Sequence, residues 1–301
     1  MIIDFHTHMF PDKIAARTID FLSKTGGDMN PFTDGTWKGL KESTKQAGID
    51  HSIVPPIATR PGQFHTINEF ATHFQEGTLI SFGSLHPESE NYKEELKQIQ
   101  DMGVPLVLFD RTAKELDVSK VVADDAHAAF KIVQHLIHGG ARRIALLTGP
   151  EQLSIGKNRM KGYLKAMTLN KLEINTDYIV RCEDFSVKAA KEATQRLLNM
   201  KNMPDAIFGI NDDMAIGAIE AIKEKGLKIP EEVAVFGFSN SKRSRYMTPS
   251  VSTINQFPEK IGETAAELLF EQILDAKHAQ IREEVINSEL IVRESSDRSF
   301  M

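Results

Sequence analysis

Short runs of apolar, β-prone residues alternate with stretches of helical periodicity along almost the whole chain. Strands that alternate with helices indicate parallel sheets connected by crossover helices. Before residue 104 the pattern predicts strands near 2–6, 52–57 and 78–84, with helices near 12–24, 38–48, 66–76 and 90–102. The front third therefore contains three βα units in series.

The same alternation continues after residue 104. Strands are predicted near 105–109, 119–123, 143–148, 178–182, 205–209, 232–236 and 288–292, with helices near 124–138, 156–169, 186–200, 213–225 and 257–276. Gly139-Gly140 and Gly226 stand where the end of a helix requires positive φ, and Pro230 follows where the helix cannot resume. No internal repeat or Pro/Gly-rich linker interrupts the pattern. We expect an α/β fold throughout.

Composition narrows the classes of function. No apolar run approaches the roughly 18–20 residues of a membrane helix, and the first residues lack the basic start of a signal peptide, so we expect a cytoplasmic protein without a membrane partner. The single cysteine, Cys182, excludes an internal disulfide. The net charge is −6 and no basic stripe is present, which argues against binding to nucleic acid.

Two histidines, His6 and His8, end the first predicted strand. Residues two apart in a strand share a face, so both imidazoles can reach one divalent ion. A catalytic zinc usually takes three protein ligands and a water, so the pair supplies part of a site. An incidental histidine pair at a strand end is the alternative interpretation.

The segments DFHTH (4–8), FPD (10–12), GIDHSIVPPIATRP (48–61) and LISFGSLHPES (79–89) together resemble the amidohydrolase superfamily of TIM barrels over about residues 1–103. The resemblance implies that His6 and His8 bind a catalytic divalent metal and that His86 corresponds to a histidine after the third strand. The later ligands of that family have no counterpart after residue 103, and three βα units cannot close an eight-unit barrel. We therefore expect no retained catalytic residue, no required cofactor and no enzymatic activity, with a metal-dependent hydrolase using His6 and His8 as the alternative.

From Pro105 onward the chain resembles the ligand-binding core of LacI-type transcriptional regulators and related periplasmic sugar-binding proteins. The resemblance rests on the order and spacing of the segments PLVLFDR (105–111), HLIHGGARRIALLTGP (135–150), RMKGYLKAM (159–167), PDAIFGINDDMAIGAIEAIKEKGLKIPEEVAVFGFSNS (204–241), SVSTINQ (250–256) and LIVRESS (290–296). It implies two flavodoxin-like parallel-sheet lobes, a periplasmic-binding-protein-like type I fold, with a small ligand such as a sugar in the cleft.

The resemblance also implies a set of ligand-binding residues. Hydrogen bonds would come from Asp110, Arg111, Arg159, Asn211 and Gln256, a stacking face from Phe185, and further contacts from Ser239 and Asn240. Each also has a purely structural interpretation, in which Asp110 and Asn211 form caps or turns, Arg159 is a solvated cation and Phe185 is core. Ser239 stands where some sugar-binding members have an aspartate, which removes a charge-assisted bond of roughly 1.5–3 kcal/mol.

The two resemblances meet near Gly103 to Pro105, so the sequence predicts a hybrid. We assign 1–103 to a TIM-barrel (βα)3 fragment that forms part of the first lobe. The rest of the first lobe is 104–141 with 256–280, and the second lobe is 142–255 with 281–301. The predicted function is small-molecule binding, impaired by the hybrid origin, with no DNA binding because no helix-turn-helix is present. The resemblance implies a homodimer, and a recombinant without activity is the remaining alternative.

Overall fold

The computed structural model divides the chain into two compact units, Met1–Val104 and Pro105–Met301. We call them the front unit and the rear unit. The structure describes residues 1–25, 30–56, 61–73, 77–82, 84, 93–94, 96–97, 105–110, 112, 116–149, 154–275 and 278–298. Arg111, His86 and most of the helix predicted near 90–102 lie outside the described residues.

The front unit contains the three βα units that the hydrophobic pattern predicts. Its described elements are the strands β1 (Ile3–Asp4), β2 (His51–Val54) and β3 (Leu79–Ser81), the helices α1 (Asp12–Thr25), α2 (Trp37–Gln46) and α3 (Phe64–Thr72), and a 3-10 turn at Pro61–Gln63. The strands are parallel in the order β1-β2-β3. Consecutive strands therefore lie side by side in the described part of this sheet, which differs from the 2-1-3 order of a flavodoxin-like sheet.

Among the described residues of the front unit, the main apolar cluster has four buried members, with Trp37 and Phe70 packed against them. They are Met9, Leu40, Val54 and Leu79. The Thr36 side chain caps α2 by accepting from the Gly39 N–H at 3.1 Å. The Thr44 and Ser52 hydroxyls pair at 3.0 Å and satisfy each other in the interior.

The rear unit is built on a four-stranded parallel sheet of the order β7-β6-β8-β9. Its strands are β6 (Ile144–Thr148), β7 (Ile179–Arg181), β8 (Ala206–Gly209) and β9 (Ala234–Phe236), and its helices are α4 (Asp125–His138), α5 (Ser154–Leu169), α6 (Val187–Leu198) and α7 (Asp212–Glu224). Every residue of β6, β8 and β9 is buried, so both faces of the sheet are covered. The strand order is that of a flavodoxin-like lobe, as predicted.

Two glycines allow the helices of this lobe to pack in close pairs. A Cβ atom at Gly162 of α5 would clash with the Ala126 carbonyl in α4. A Cβ atom at Gly217 of α7 would clash with the Val187 carbonyl in α6. Only glycine therefore permits these helix–helix distances.

A second, smaller parallel sheet has the order β11-β5-β4, from the strands β4 (Val107–Phe109), β5 (Ser119–Ala123) and β11 (Glu283–Ile286). The helix α9 (Pro258–Leu274) packs on it and buries Ile261, Ala265 and Leu268 against Val121 and Ile286. Exposure alternates along β5 and β11, so one face of this sheet is covered within the described residues. The antiparallel pair β10 (Thr253–Asn255) and β12 (Glu289–Ile291) links the two sheets.

The predicted lobe boundaries need two corrections. The strand β11 pairs with β5, so residues 281–301 do not all belong to the second lobe. The helix α4 contributes Ala128, Ile132 and Val133 to the large core, so it does not belong to the first lobe. Pairing partners far apart in sequence cannot be read from local periodicity, and for the same reason β10 and β11 were not predicted. The helix α8 (Lys242–Tyr246) was not predicted because five residues are too few to show a helical period.

The segment after β12 fastens the large sheet. The Ser295 hydroxyl donates to the Val235 carbonyl at 2.7 Å, next to the centre of β9. The Arg298 guanidinium donates to three carbonyls at 2.8–3.2 Å, those of Gly139, Asp205 and Pro230. These three loops lie at the amino end of the sheet. No helix in the described part of the chain is long and apolar enough to cross a membrane.

Candidate functional site

Polar side chains of the rear unit follow the carboxyl ends of four parallel strands, and a glycine follows a fifth. Asp110 comes directly after β4 and Asp125 two residues after β5. Gly149, Asn211 and Ser239 follow β6, β8 and β9. In open parallel sheets this edge is where ligands bind.

Arg159 in the first turns of α5 is the fixed centre of this site. Its Nε donates to Asp125 Oδ1 at 2.9 Å, and its Nη1 donates to the Ile210 carbonyl. The guanidinium carbon lies 3.5 Å from the centroid of the Phe238 ring. The residue is only 5% exposed, so the interpretation of Arg159 as a solvated cation is wrong. A buried guanidinium held by three partners is preorganised.

Burial acts on both members of the Arg159–Asp125 pair. It raises the pKa of the Asp125 carboxyl above its ordinary value, against the opposing effect of the Arg159 charge. It also lowers the pKa of Arg159, with Asp125, Asp110 and Asp212 acting in the opposite direction. The negative charge of Asp110 raises the pKa of both Asp125 and Arg159.

Asp110 is held in a backbone conformation that non-glycine residues rarely adopt. Its φ is 60°, and its N–H donates to the Val121 carbonyl at 3.0 Å. Its side chain is exposed, and no hydrogen bond or ion pair joins the carboxylate to another residue in the described ranges. Left-handed non-glycine residues cluster at ligand sites. The carboxylate is therefore available as an acceptor.

Phe185 and Asn211 are brought together by a side-chain to backbone hydrogen bond. Asn211 Nδ2 donates to the Phe185 carbonyl at 3.4 Å, and Asn211 Oδ1 accepts from the Met214 N–H at 2.8 Å. Asn211 thus caps α7, which confirms its structural interpretation, and it retains one amide N–H. The Phe185 ring is half-buried and lies against Gly149, where a Cβ atom would clash with it.

Ser239 and Asn240 form a turn of two residues with positive φ, 126° and 49°. The Ser239 hydroxyl donates to the carbonyl of Phe238. Asn240 Oδ1 accepts from Arg293 Nη2 at 2.7 Å, and the Asn240 N–H donates to Thr253 Oγ1 at 3.0 Å. These bonds fix Asn240, and its Nδ2 has no hydrogen bond to the described residues. The Ser239 hydroxyl is uncharged, so it supplies no charge to the site.

Gln256 follows β10 and is half-buried, without a hydrogen bond to the part of the chain that the structure describes. Arg111, the remaining predicted residue, lies outside that part. Among the predicted residues, the charge of Asp110 raises the pKa of Arg159, and a hydrogen bond joins Asn211 to Phe185.

Sequence reasoning missed two contributors, Asp125 and Phe238, and it placed Asp212 at this edge after the strand near 205–209 without assigning it to the ligand-binding set. Asp212 is 2% exposed; its Oδ1 accepts from Thr253 Oγ1 and its Oδ2 from the Ser241 N–H, both at 2.6 Å. This carboxylate fastens β10 and the turn after β9 to α7. The available signal was the position of each residue one to three places after a predicted strand.

In the front unit the two histidines also come together. The Nε2 atoms of His6 and His8 lie 3.1 Å apart, with the rings edge to face. Burial lowers the pKa of His8, and neighbouring His6 lowers it further, so the His8 imidazole is held neutral. No group of three or more metal-ligating side chains occurs among the described residues.

Comparison with known proteins agrees with the geometry of the rear unit. The model of the periplasmic binding protein-like domain family matches residues 133–296. The transcriptional repressor CytR of Escherichia coli (strain K12) is 34% identical over 267 residues, covering 89% of this chain and 76% of the repressor.

Solved structures give the same result. A LacI-family regulatory protein from Chloroflexus aggregans is 25% identical with a TM-score of 0.64, covering 98% of both chains. A LacI-family regulator from Enterococcus faecium, solved with bound ribose, is 21% identical with a TM-score of 0.60, covering 99% of both. With the parallel sheets and the strand order already described, these matches show that the chain belongs to the LacI family and covers its periplasmic binding protein-like, ligand-binding core.

Proposed function

We propose that the rear unit binds a small polyhydroxylated effector at the carboxyl ends of its parallel strands. The contacts would come from Asp110, Arg111, Arg159, Phe185, Asn211, Ser239, Asn240 and Gln256. The observation that carries the proposal is the fixed guanidinium of Arg159 at this edge. A preorganised donor lowers the entropic cost of binding a ligand.

The mixture of groups favours a sugar or a nucleoside as the effector class. Asp110 supplies an acceptor that has no hydrogen bond or ion pair to the described residues, and the amides of Asn211, Asn240 and Gln256 supply donors and acceptors for hydroxyls. The half-buried Phe185 ring supplies an apolar face for a sugar or base ring. The ribose-bound regulator of Enterococcus faecium holds a ligand of this class in the same fold.

Thermal-shift measurements on the full chain test the proposal. Ribose, cellobiose, a set of monosaccharides and the common nucleobases and nucleosides would each be added at millimolar concentration. We expect at least one to stabilise the protein, because a ligand that binds only the native state raises its stability by mass action. No stabilisation by any of them contradicts the proposal.

Two variants locate the binding site. Gln256→Ala removes a half-buried side chain that has no hydrogen bond to the described residues, so we expect weaker ligand binding with little loss of stability. Lys161→Ala, an exposed position on the same helix as Arg159, is the control. An equal loss of binding in both variants contradicts a site at this edge.

We further propose that the chain acts as an effector-binding homodimer that does not itself bind DNA. The net charge of −6 supports the absence of DNA binding. Sedimentation equilibrium tests the dimer, and a mobility-shift assay with random duplex DNA tests the absence of binding. A monomer at micromolar concentration, or a retarded duplex at physiological salt, contradicts the corresponding part. The expected cytoplasmic location stays a prediction.

The hybrid origin of the chain, with an impaired effector site, stays a proposal. Its support is the strand order β1-β2-β3 of the front unit, the order of neighbouring barrel strands. The alignment with CytR spans 267 residues and so extends beyond the rear unit, which favours a common origin for both units. Long-read sequencing of the source locus distinguishes an uninterrupted natural gene from a recombinant.

A second candidate function is favoured by the geometry of His6 and His8. Two imidazole nitrogens on a tetrahedral zinc lie roughly 3.3 Å apart, given Zn–N distances of about 2.0–2.1 Å. Their separation of 3.1 Å is close to this value. The pair would hold a divalent metal whose bound water, in the amidohydrolase-like alternative, supplies a nucleophile for hydrolysis.

Metal analysis of the purified protein tests this candidate. After dialysis against zinc-containing buffer we expect about one zinc per chain, and none in the His6→Ala, His8→Ala double variant. His73→Ala, an exposed histidine of the same unit, is the control. Wild-type protein without bound zinc, manganese or iron contradicts the metal site and the hydrolase with it.

A further inference from the structure

Asp125 and Arg159 form a nearly dry ion pair beside the site. Only 11% of the Asp125 side chain and 6% of the Arg159 side chain are exposed. Asp125 occupies the first turn of α4, while Arg159 lies on α5. The tight packing of these helices at Gly162 fixes the distance between the two residues, so the pair is a rigid feature of the lobe.

The pair restricts what Arg159 can offer to a ligand. A guanidinium binds a carboxylate or phosphate best through two parallel N–H bonds. Asp125 accepts from Nε, which closes the guanidinium edge that contains Nε to any other oxyanion, and the Ile210 carbonyl accepts from one of the two N–H groups of Nη1. The N–H donors of Arg159 that remain for a ligand are chiefly those of Nη2. They suit a single hydroxyl or carbonyl oxygen.

The carboxylates around the ion pair also disfavour an anionic ligand. Asp125 already neutralises Arg159, and the carboxylates of Asp110 and Asp212 act electrostatically on the same guanidinium. Arg293, beside the proposed contact residue Asn240, is engaged by Asn240 Oδ1 and the Val251 carbonyl. An incoming anion would therefore meet carboxylates around a guanidinium that Asp125 already neutralises.

We infer that Asp125 is a positioning residue that makes Arg159 a donor to neutral hydroxyls and so excludes anionic sugars, namely sugar phosphates and sugar acids. The inference rests on the proposed effector site and adds that its ligand is electrically neutral. It assigns a role to a residue outside the ligand-binding set that the sequence resemblance implies. The structural alternative is that Asp125 only stabilises the fold.

Hydrogen exchange of the Arg159 Nε proton, followed by NMR on ¹⁵N-arginine protein without ligand, tests the positioning. We expect slow exchange in the wild type and exchange at least about tenfold faster in Asp125→Ala, a change of about 1.4 kcal/mol in protection. Asp125→Asn retains an acceptor oxygen and should give an intermediate rate. Thr194→Val, which removes a buried hydrogen bond in α6, is the control and should leave this proton unchanged.

Matched ligand pairs test the selectivity. Ribose against ribose 5-phosphate, galactose against galacturonate, and adenosine against its monophosphate would be titrated into wild type, Asp125→Asn and Asp125→Ala. We expect wild type to favour the neutral member by at least about tenfold, and the Asp125 variants to reduce this ratio by about tenfold. If Asp125→Ala does not fold, Asp125→Asn gives the same comparison without a cavity.

The outcomes separate the two proposals. Wild-type preference for an anionic member, or the same ratio in wild type and Asp125→Asn, overturns the selectivity inference while the binding proposal stands. An unchanged Nε exchange rate in both Asp125 variants overturns the positioning role. If no member of any pair binds wild type, the proposed function fails together with the selectivity, and the exchange rates still decide whether Asp125 holds Arg159.

Discussion

The front and rear units use the same βα building pattern but differ in how completely their sheets are covered. Every residue of β6, β8 and β9 in the rear unit is buried, and glycines bring the covering helices into close pairs. In the described part of the front unit, three parallel strands carry a main apolar cluster of four buried residues. The periodicity that specifies an element is present in both units, but stability depends on how many neighbours each element finds.

The largest expected effect comes from removing a central leucine of the rear unit. Leu146 is fully buried in β6, between neighbours β7 and β8. We expect Leu146→Ala to lower the free energy of unfolding by about 4–5 kcal/mol, because rigid packing prevents collapse of the cavity. Urea unfolding followed by far-UV circular dichroism measures it. A loss below about 2 kcal/mol would contradict a rigid core.

A matched change in the front unit sharpens the comparison. Leu79 in β3 is 3% exposed within the small core. We expect Leu79→Ala to cost about 2–3 kcal/mol, since a thinly covered core relaxes around the cavity. Trp37 is the single tryptophan and packs on this core, so its fluorescence reports the front unit. A loss as large as that of Leu146→Ala would show that the two cores are equally rigid.

The helix pairs of the rear unit give the next effect. Gly217→Ala places a Cβ atom against the Val187 carbonyl, and we expect a loss of about 2 kcal/mol from overpacking. Gly262→Ala in α9 is the matched control, because a Cβ atom there meets nothing within 4 Å. The control should gain roughly 0.5–1 kcal/mol from helix propensity. The same sign for both variants would remove close packing as the explanation.

The smallest effect is a pH dependence of the rear unit. Burial lowers the pKa of His135, whose Nε2 lies 2.9 Å from Ser296 Oγ. The unfolded state therefore binds the proton more strongly, so stability is present above about pH 6.5 and is lost as the pH falls through the folded pKa. We expect wild type to lose more stability than His135→Gln between pH 7 and pH 5. Parallel urea titrations at both pH values measure the difference.

Much of the architecture could be predicted because the long elements carry strong local patterns. The predicted helices near 124–138 and 186–200 appear as Asp125–His138 and Val187–Leu198. Membership of a sheet could not be predicted in the same way. The strand β11 joins β5 across about 160 residues, and nothing in its four residues identifies that partner.

The position of the candidate site could be predicted, but the hydrogen bonds and ion pairs among its residues could not. Sequence order placed Asp110, Asn211 and Ser239 after strands, and parallel sheets bring such positions to one edge. Asp125 was missed because its role depends on Arg159, 34 residues away, and on the helix pair that holds them together. The role of Asn211 as a helix cap was one of two interpretations that its position allowed.

The contacts of Arg298 have a consequence for biosynthesis. A ribosome makes the loops at Gly139, Asp205 and Pro230 long before it reaches the residue that ties their carbonyls together. The four-stranded sheet can form on the nascent chain, but its amino end remains unfastened until residues 293–298 have emerged. Folding of this lobe is therefore completed only after residues 293–298 have emerged, and nascent chains stalled before residue 293 should be susceptible to protease at these loops.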